Sequence, residues 1–335
     1  MLAYVMQGGG RGGVQEVPEP TVGSYDATVE MLVCGVCSST DKMLRMGTFR
    51  MGVTFPSVLG HESVGRVVAV GDQVRNLAVG DLVTRPSAYR PDAAPLDQYW
   101  GGFAERGVVT DWAARVADGT LGELQPRWDQ VRLPGDADPV EASLGISLSE
   151  TFSVAVRHDL LGKTVAVVGT GIAGLSFVAY AKLLGAAHVV VVGRRQARLD
   201  LARRLGADDG VLAADAGARA AALGGFDLAF EASGQAEMAA AAYRWLKPGG
   251  ACVVYSAPEG EARVDLFASP RDATLSVAST NEAAVLPGML RMVAGRVLDP
   301  GVLVSHSYRF ADIERAFDDV AAGDVVKAMI TFDRP

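Results

Sequence analysis

The chain has 335 residues, 49% of them hydrophobic and 21% charged, which is a globular composition with more chain than one ordinary core requires. A formal net charge of −8 argues against nucleic acid or an anionic membrane surface as the main partner, and no apolar run reaches membrane-spanning length. Three cysteines cannot form a disulfide framework in a chain of this size and point to a reducing, cytoplasmic setting. The opening MLAYVMQGGGRGG lacks a basic region followed by a long apolar core, so no signal peptide is expected.

Residues 3–6, 14–17 and 27–33 alternate as strands do, with the GGGRGG turn after the first and Pro18 and Pro20 before the third. This β-rich start predicts a domain distinct from the later α/β region. Cys34 and Cys37 form a C-x-x-C pair. No second pair exists, since only Cys252 remains, and that excludes a four-cysteine zinc site. A thioredoxin-like redox pair would lack its own β-α-β context. Twenty-odd residues on stands Leu59-Gly60-His61-Glu62. Cys37, His61 and Glu62 are one thiolate, one imidazole and one carboxylate, a ligand set suited to a catalytic zinc with an open position.

Residues 163–195 predict one β-α-β unit. A β-branched run at 165–168 leads into Gly169, Gly171 and Gly174, with Ile172 and Ala173 between them, and a helix over 175–184. A second β-branched run follows at 189–192. Gly169 permits a tight turn, Gly171 lets backbone approach a pyrophosphate, and Gly174 lets helix and strand pack closely. The helix N-terminus then faces the phosphates. At the end of the second strand an NAD site carries an acid for the ribose 2′-OH. Here Gly193 is followed by Arg194 and Arg195, which favours NADP(H) over NAD(H). Arg198, one turn on, reads as a surface charge.

The Rossmann pattern continues with a helix at 196–205, an alanine-rich surface helix at 213–223 and a strand at 226–231. A helix at 238–246 is stopped by Lys247-Pro248-Gly249-Gly250, and strands at 251–256 and 274–278 follow. Cys252 reads as an inert core thiol. The end of a helix at 290–295, a strand at 302–310, a helix at 313–321 and a closing strand at 327–332 complete the chain.

In order, the chain reads Gly35-Val36-Cys37, Gly60-His61-Glu62, Gly65-Arg66-Val67-Val68-Ala69-Val70-Gly71, Gly80-Asp81-Leu82-Val83, Gly101-Gly102-Phe103-Ala104-Glu105 and then the glycine turn. This succession resembles the zinc-dependent medium-chain dehydrogenase/reductase (alcohol dehydrogenase-like) family, in particular its sorbitol and threonine dehydrogenase branch, over nearly the whole chain. The resemblance implies a GroES-like catalytic domain at 1–148, completed by 287–335, with a Rossmann domain inserted at 149–286. It implies reversible hydride transfer between NADP(H) and a secondary alcohol, with one catalytic Zn²⁺. The substrate class implied is a polyol, cyclitol or sugar-derived alcohol, and the protein is expected to be a homodimer or homotetramer. Glu150 matches an acid near the zinc in the polyol branch, as a direct ligand or through water.

Two departures from the family pattern bear on the site. Residues 84–100 contain none of the four cysteines of the structural zinc lobe, so no structural zinc is expected. The family's C-x-[ST]-D becomes Cys37-Ser38-Ser39-Thr40-Asp41, with one extra residue. Counting from Cys37 makes Ser39 the hydroxyl that relays the proton, while counting back from Asp41 makes it Thr40. Lys42 falls where relatives often place a relay histidine. Phe49, Trp100 and Asn281 are the first residues to place beside a substrate, and His306 reads as structural. Two other readings are a zinc-free NADPH-dependent quinone or enoyl reductase and a non-catalytic NADPH-binding protein. The Cys37–His61 pair argues against both.

Overall fold

The structure, a computed structural model, describes residues 1–49, 53–90, 92–257 and 260–332. The chain divides into two compact units, Met1–Ser147 with Leu286–Pro335, and Leu148–Val285, where the sequence reading draws the division at 148/149 and 286/287. The first unit opens with β1 (Leu2–Gly8), β2 (Arg11–Glu16) and β3 (Asp26–Val36), then α1 (Thr40–Met46), β4 (Ser57–Val58), β5 (Glu62–Val70), β6 (Leu82–Thr84), β7 (Asp97–Gln98), β8 (Arg106–Thr110) and α2 (Trp112–Ala117). The helix α3 (Pro139–Ala155) runs across the boundary. The second unit holds β9 (Thr164–Val168), α4 (Ile172–Leu183), β10 (His188–Gly193), α5 (Gln196–Arg204), β11 (Asp209–Leu212), α6 (Ala216–Ala222), β12 (Phe226–Glu231), α7 (Ala236–Arg244), β13 (Leu246–Val254) and β14 (Thr274–Val277). The chain then returns to the first unit through α8 (Glu282–Ala294), β15 (His306–Arg309), α9 (Ile313–Ala322) and β16 (Ala328–Thr331).

In the first unit, β1 turns back into β2 through Gly8, Gly9 and Gly10, all at positive φ, and Arg11 and Gly12 already belong to the strand. The larger sheet has the order β15-β16-β3-β5-β6, with β8 also on β3. Its register places the chemistry. β3 and β5 align Gly35 with Glu62, and β3 and β16 align Val36 with Ala328. Glu62, Lys327 and the end of β3 that leads to Cys37 therefore converge. A Cβ on Gly35 would overlap Glu62 Oε2 and lie 2.9 Å from Lys327 Cε, so only glycine leaves room for that pair. Beneath the sheet, Tyr4, Met6, Leu44, Leu59, Phe103, Ile313 and Phe317 form an apolar core that seats α1 and α9.

The second unit is a parallel sheet of order β11-β10-β9-β12-β13-β14. Val165–Val168 and Val189–Val192 are buried on both faces, as a sheet covered by helices on either side demands. The strand order reverses between β9 and β12, the point at which such sheets bind ligands beyond their carboxyl ends. Several sequence expectations change. β11 is a strand that the sequence reading leaves out between α5 and the alanine-rich helix; β10 templates it, and Arg219 and His188 satisfy the Asp209 carboxylate. Helix α7 ends at Arg244, and the expected helix stop at 247–250 lies inside β13. There the pairing with β12 slips, as it must beside Pro248, which has no N–H. Arg198 is 8% exposed rather than a surface charge.

Candidate active site

The loop after β3 and the start of β5 bring Cys37, His61 and Glu62 together, with donor atoms all within 4.8 Å of one another. The register of β5 places Glu62, His61 stands immediately before that strand, and the turn into α1 carries Cys37. Asp41, fully buried in the first turn of α1, joins the two segments. Its Oδ2 accepts from Cys37 N at 2.9 Å and its Oδ1 lies 3.5 Å from His61 Nδ1. That Nδ1 makes no hydrogen bond within normal distance, so its tie to Asp41 is the longer 3.5 Å contact. With Nδ1 facing Asp41, Nε2 is the ring nitrogen turned toward Glu62, 4.0 Å from Oε1. A thiolate sulfur, an imidazole nitrogen and a carboxylate at this spacing fit a zinc ion.

Glu62 is already held on both oxygens. Ser147 Oγ donates to Oε1 at 2.5 Å, and Lys327 Nζ pairs with Oε2 while donating to Ser147 Oγ at 3.0 Å. Ser143 Oγ donates to the Glu62 carbonyl at 2.6 Å. Burial alone would raise the Glu62 pKa, but the Lys327 ammonium, His61 and the Ser147 hydrogen bond outweigh it and hold the carboxyl below its ordinary range. Burial alone would lower Lys327, yet Glu62, Cys37 and Asp41 leave its net shift upward. His61 follows the same logic, burial pushing down and Asp41 and Cys37 pushing further up.

The relay residues take different places. Ser39 is exposed at the N-cap of α1 and makes no side-chain cap bond. Thr40 is half-buried and its N–H donates to Cys37 Sγ at 3.3 Å. Lys42 and His306 are exposed. Glu150 and Asn281 stand in the second unit, where Tyr255 Oη lies 3.5 Å from Glu150 Oε2 and Asn281 N donates to Ser153 Oγ at 3.0 Å. Sequence reasoning passed over Lys327, Ser143, Ser147 and Tyr99. The one available signal was a lysine heading an otherwise apolar closing strand.

In the second unit the glycine turn has the form a dinucleotide needs. Gly169 has φ +114°, and a Cβ there would lie 2.6 Å from Ala232 O. A Cβ on Gly174 would overlap Gly169 O. Gly171, the N-cap of α4, meets nothing within 4 Å in its Cβ direction, which leaves open ground over the helix N-terminus. Ile172 is buried and Ala173 half-buried in the first turn of that helix. Gly193 ends β10, and a Cβ there would lie 2.6 Å from Thr170 Cγ2 and 3.0 Å from Leu199 Cδ2. Thr170 therefore fills the place where an acid would begin. Arg194 and Arg195 follow, both exposed.

Residues 23–118 match the family model for the alcohol dehydrogenase GroES-like domain, and residues 173–294 match the zinc-binding dehydrogenase model. The chain is 32% identical to the NADP-dependent isopropanol dehydrogenase of Thermoanaerobacter brockii over 342 residues, covering 95% of each protein. It is 24% identical to the L-threonine 3-dehydrogenase of Shewanella sp. (strain ANA-3), again over 95% of each. Among solved structures it resembles a Sinorhizobium meliloti 1021 protein bound to NADP, with 27% identity, a TM-score of 0.80 and 98% of each chain covered. This chain belongs to the zinc-dependent medium-chain alcohol dehydrogenase family, with a GroES-like domain and a Rossmann-like parallel sheet. It is an oxidoreductase of the alcohol dehydrogenase type. Among the described residues no helix is long and apolar enough to cross a membrane.

Proposed function

We propose that this protein is a zinc-dependent oxidoreductase that interconverts a secondary alcohol and its ketone with NADP(H). The observation that carries this reading is the grouping of Cys37, His61 and Glu62 in a buried site tied together by Asp41. Cys37 and His61 would hold one zinc ion, with Glu62 completing or exchanging at its shell. When bound, zinc supplies Lewis acidity toward the alcohol oxygen and the nicotinamide supplies hydride exchange. Asp41 orients the imidazole, and Lys327 and Ser147 hold the Glu62 carboxylate in its charged form. Ser39 or Thr40 passes the alcohol proton outward. Polyols, cyclitols and sugar-derived alcohols fall within this reading, and so does the simple secondary alcohol named for the Thermoanaerobacter relative.

Metal analysis of the purified protein should find one zinc per chain, and Cys37→Ser should lose both the zinc and alcohol turnover. Zinc-free protein that still reduces activated C=C bonds would favour the quinone or enoyl reductase reading instead. NADP⁺ should be preferred to NAD⁺. Arg194→Ala should raise the KM for NADP⁺ by about ten-fold, as loss of one charge-assisted phosphate contact implies, and leave that for NAD⁺ unmoved. A wild-type preference for NAD⁺ would overturn the roles given to Gly193, Arg194 and Arg195.

Self-association fits the edge of the parallel sheet. β14 is exposed along its whole length, with Val277 at 81% exposure, and a strand edge without a partner among the described residues is a template for a second strand. A dimer joined there should fall to monomer in Val277→Lys, read by light scattering after size exclusion. An unchanged mass would remove that interface.

A further inference from the structure

The surroundings of His61 bear on the kind of alcohol accepted. Three half-buried aromatic rings run outward from this metal-binding imidazole, all within the first unit. Trp100 lies 5.2 Å from the His61 ring at 44°, Tyr99 packs edge-on to Trp100 at 4.3 Å, and Phe49 packs edge-on to Tyr99 at 5.2 Å. Tyr99 is also edge-on to His61 at 6.5 Å. Arg85, 2% exposed, places its guanidinium 5.7 Å from the Trp100 ring centre and pairs with Asp129 at 3.3 Å, so its charge is matched.

Both Arg85 and Trp100 hold positive φ, at 49° and 65°, a conformation that non-glycine residues rarely take. Such backbone persists only where its surroundings over-determine it.

Resting on the reaction proposed above, we propose that the substrate carries a flat aromatic or bulky apolar group on its carbinol carbon, seated against Phe49, Tyr99 and Trp100. Ring faces offer stacking and edge contacts to an aryl group. Tyr99 Oη and Trp100 Nε1 are the hydrogen-bonding groups these three side chains carry, so most of a polyol's hydroxyls would be stripped of water against the rings without a partner there. The wall therefore selects by what it fails to hydrogen-bond as much as by what it stacks on.

The test compares 1-phenylethanol, 2-propanol and sorbitol as substrates of the zinc-loaded enzyme with NADP⁺. The expected order of kcat/KM is 1-phenylethanol, then 2-propanol, then sorbitol. Trp100→Ala should lower the 1-phenylethanol to 2-propanol ratio by about ten-fold, chiefly through KM, and Trp100→Phe should restore most of it. Calorimetric titration of acetophenone should weaken in the same order across the two variants. Sorbitol as the best substrate, or a ratio unmoved in Trp100→Ala, would overturn the inference. Turnover of 2-propanol without preference for the aryl alcohol overturns it while leaving the proposed reaction standing. If none of the three alcohols is oxidised, both fail together.

Discussion

Around their candidate sites the two units are built from opposite materials. Near its candidate site the first unit hides Asp41, His61, Glu62, Arg85 and Lys327, each at most 4% exposed. The second hides Val165–Val168 and Val189–Val192 and does its shaping with bare backbone at Gly169, Gly171 and Gly174. Buried charge costs several kcal/mol per ion unless it is paired, so the first interior depends on every partner being present. The glycine turn depends on the absence of atoms. One site is therefore vulnerable to removal and the other to addition.

The sharpest test of that contrast is Lys327→Met. It removes the ammonium partner of the buried Glu62 carboxylate, and should destabilise the protein by about 3–5 kcal/mol in urea unfolding. Adding Glu62→Gln should recover most of the loss. A double variant as weak as the single one would show that packing, not charge, is at stake.

The reverse case follows in the second unit. Gly174→Ala forces a methyl into Gly169 O and should cost about 1–3 kcal/mol of stability along with NADP(H) affinity. Gly171→Ala meets no protein atom within 4 Å. It should leave the melting temperature nearly unchanged while weakening NADPH binding in a fluorescence titration. Equal thermal losses in both variants would blur the distinction.

The smallest effect lies away from both sites. Asp111 caps α2 and accepts from Arg75 N, Asn76 N, Asn76 Nδ2 and Ala114 N. Burial pushes its pKa up, but these donors outweigh it and hold the carboxyl below the usual range. Its contribution is therefore present above the unfolded-state carboxylate pKa and is lost as pH falls through the lower folded value. Asp111→Asn should cost about 1 kcal/mol at neutral pH and progressively less toward acid, read as converging denaturation midpoints.

The parallel sheet was legible because a doubly buried strand has no need of alternation. Runs such as 165–168 and 189–192 announce themselves, and the glycines between them have few other uses. β11 was hidden because Asp208-Asp209-Gly210 has turn chemistry, and only its neighbours make it a strand. Around the candidate site, the local motifs grouped Cys37, His61 and Glu62. Lys327 stayed invisible, because its burial depends on a register that sets it against a glycine on another strand, nearly three hundred residues away in sequence. The same applies to Tyr99 and Arg85. Their meaning lies in ring geometry and a left-handed backbone, neither of which has a sequence pattern.

Asp41 has one further consequence. A single carboxylate ties the Cys37 backbone to the His61 ring, while Ser143, Ser147 and Lys327 fasten Glu62 from other elements. The candidate ligand groups are thus clamped by protein contacts alone. Such a chain differs from a zinc finger, whose fold appears only with its ion. Chelation should give a folded, inactive apoprotein that regains activity on simple titration with zinc, with occupancy set by affinity and not by refolding.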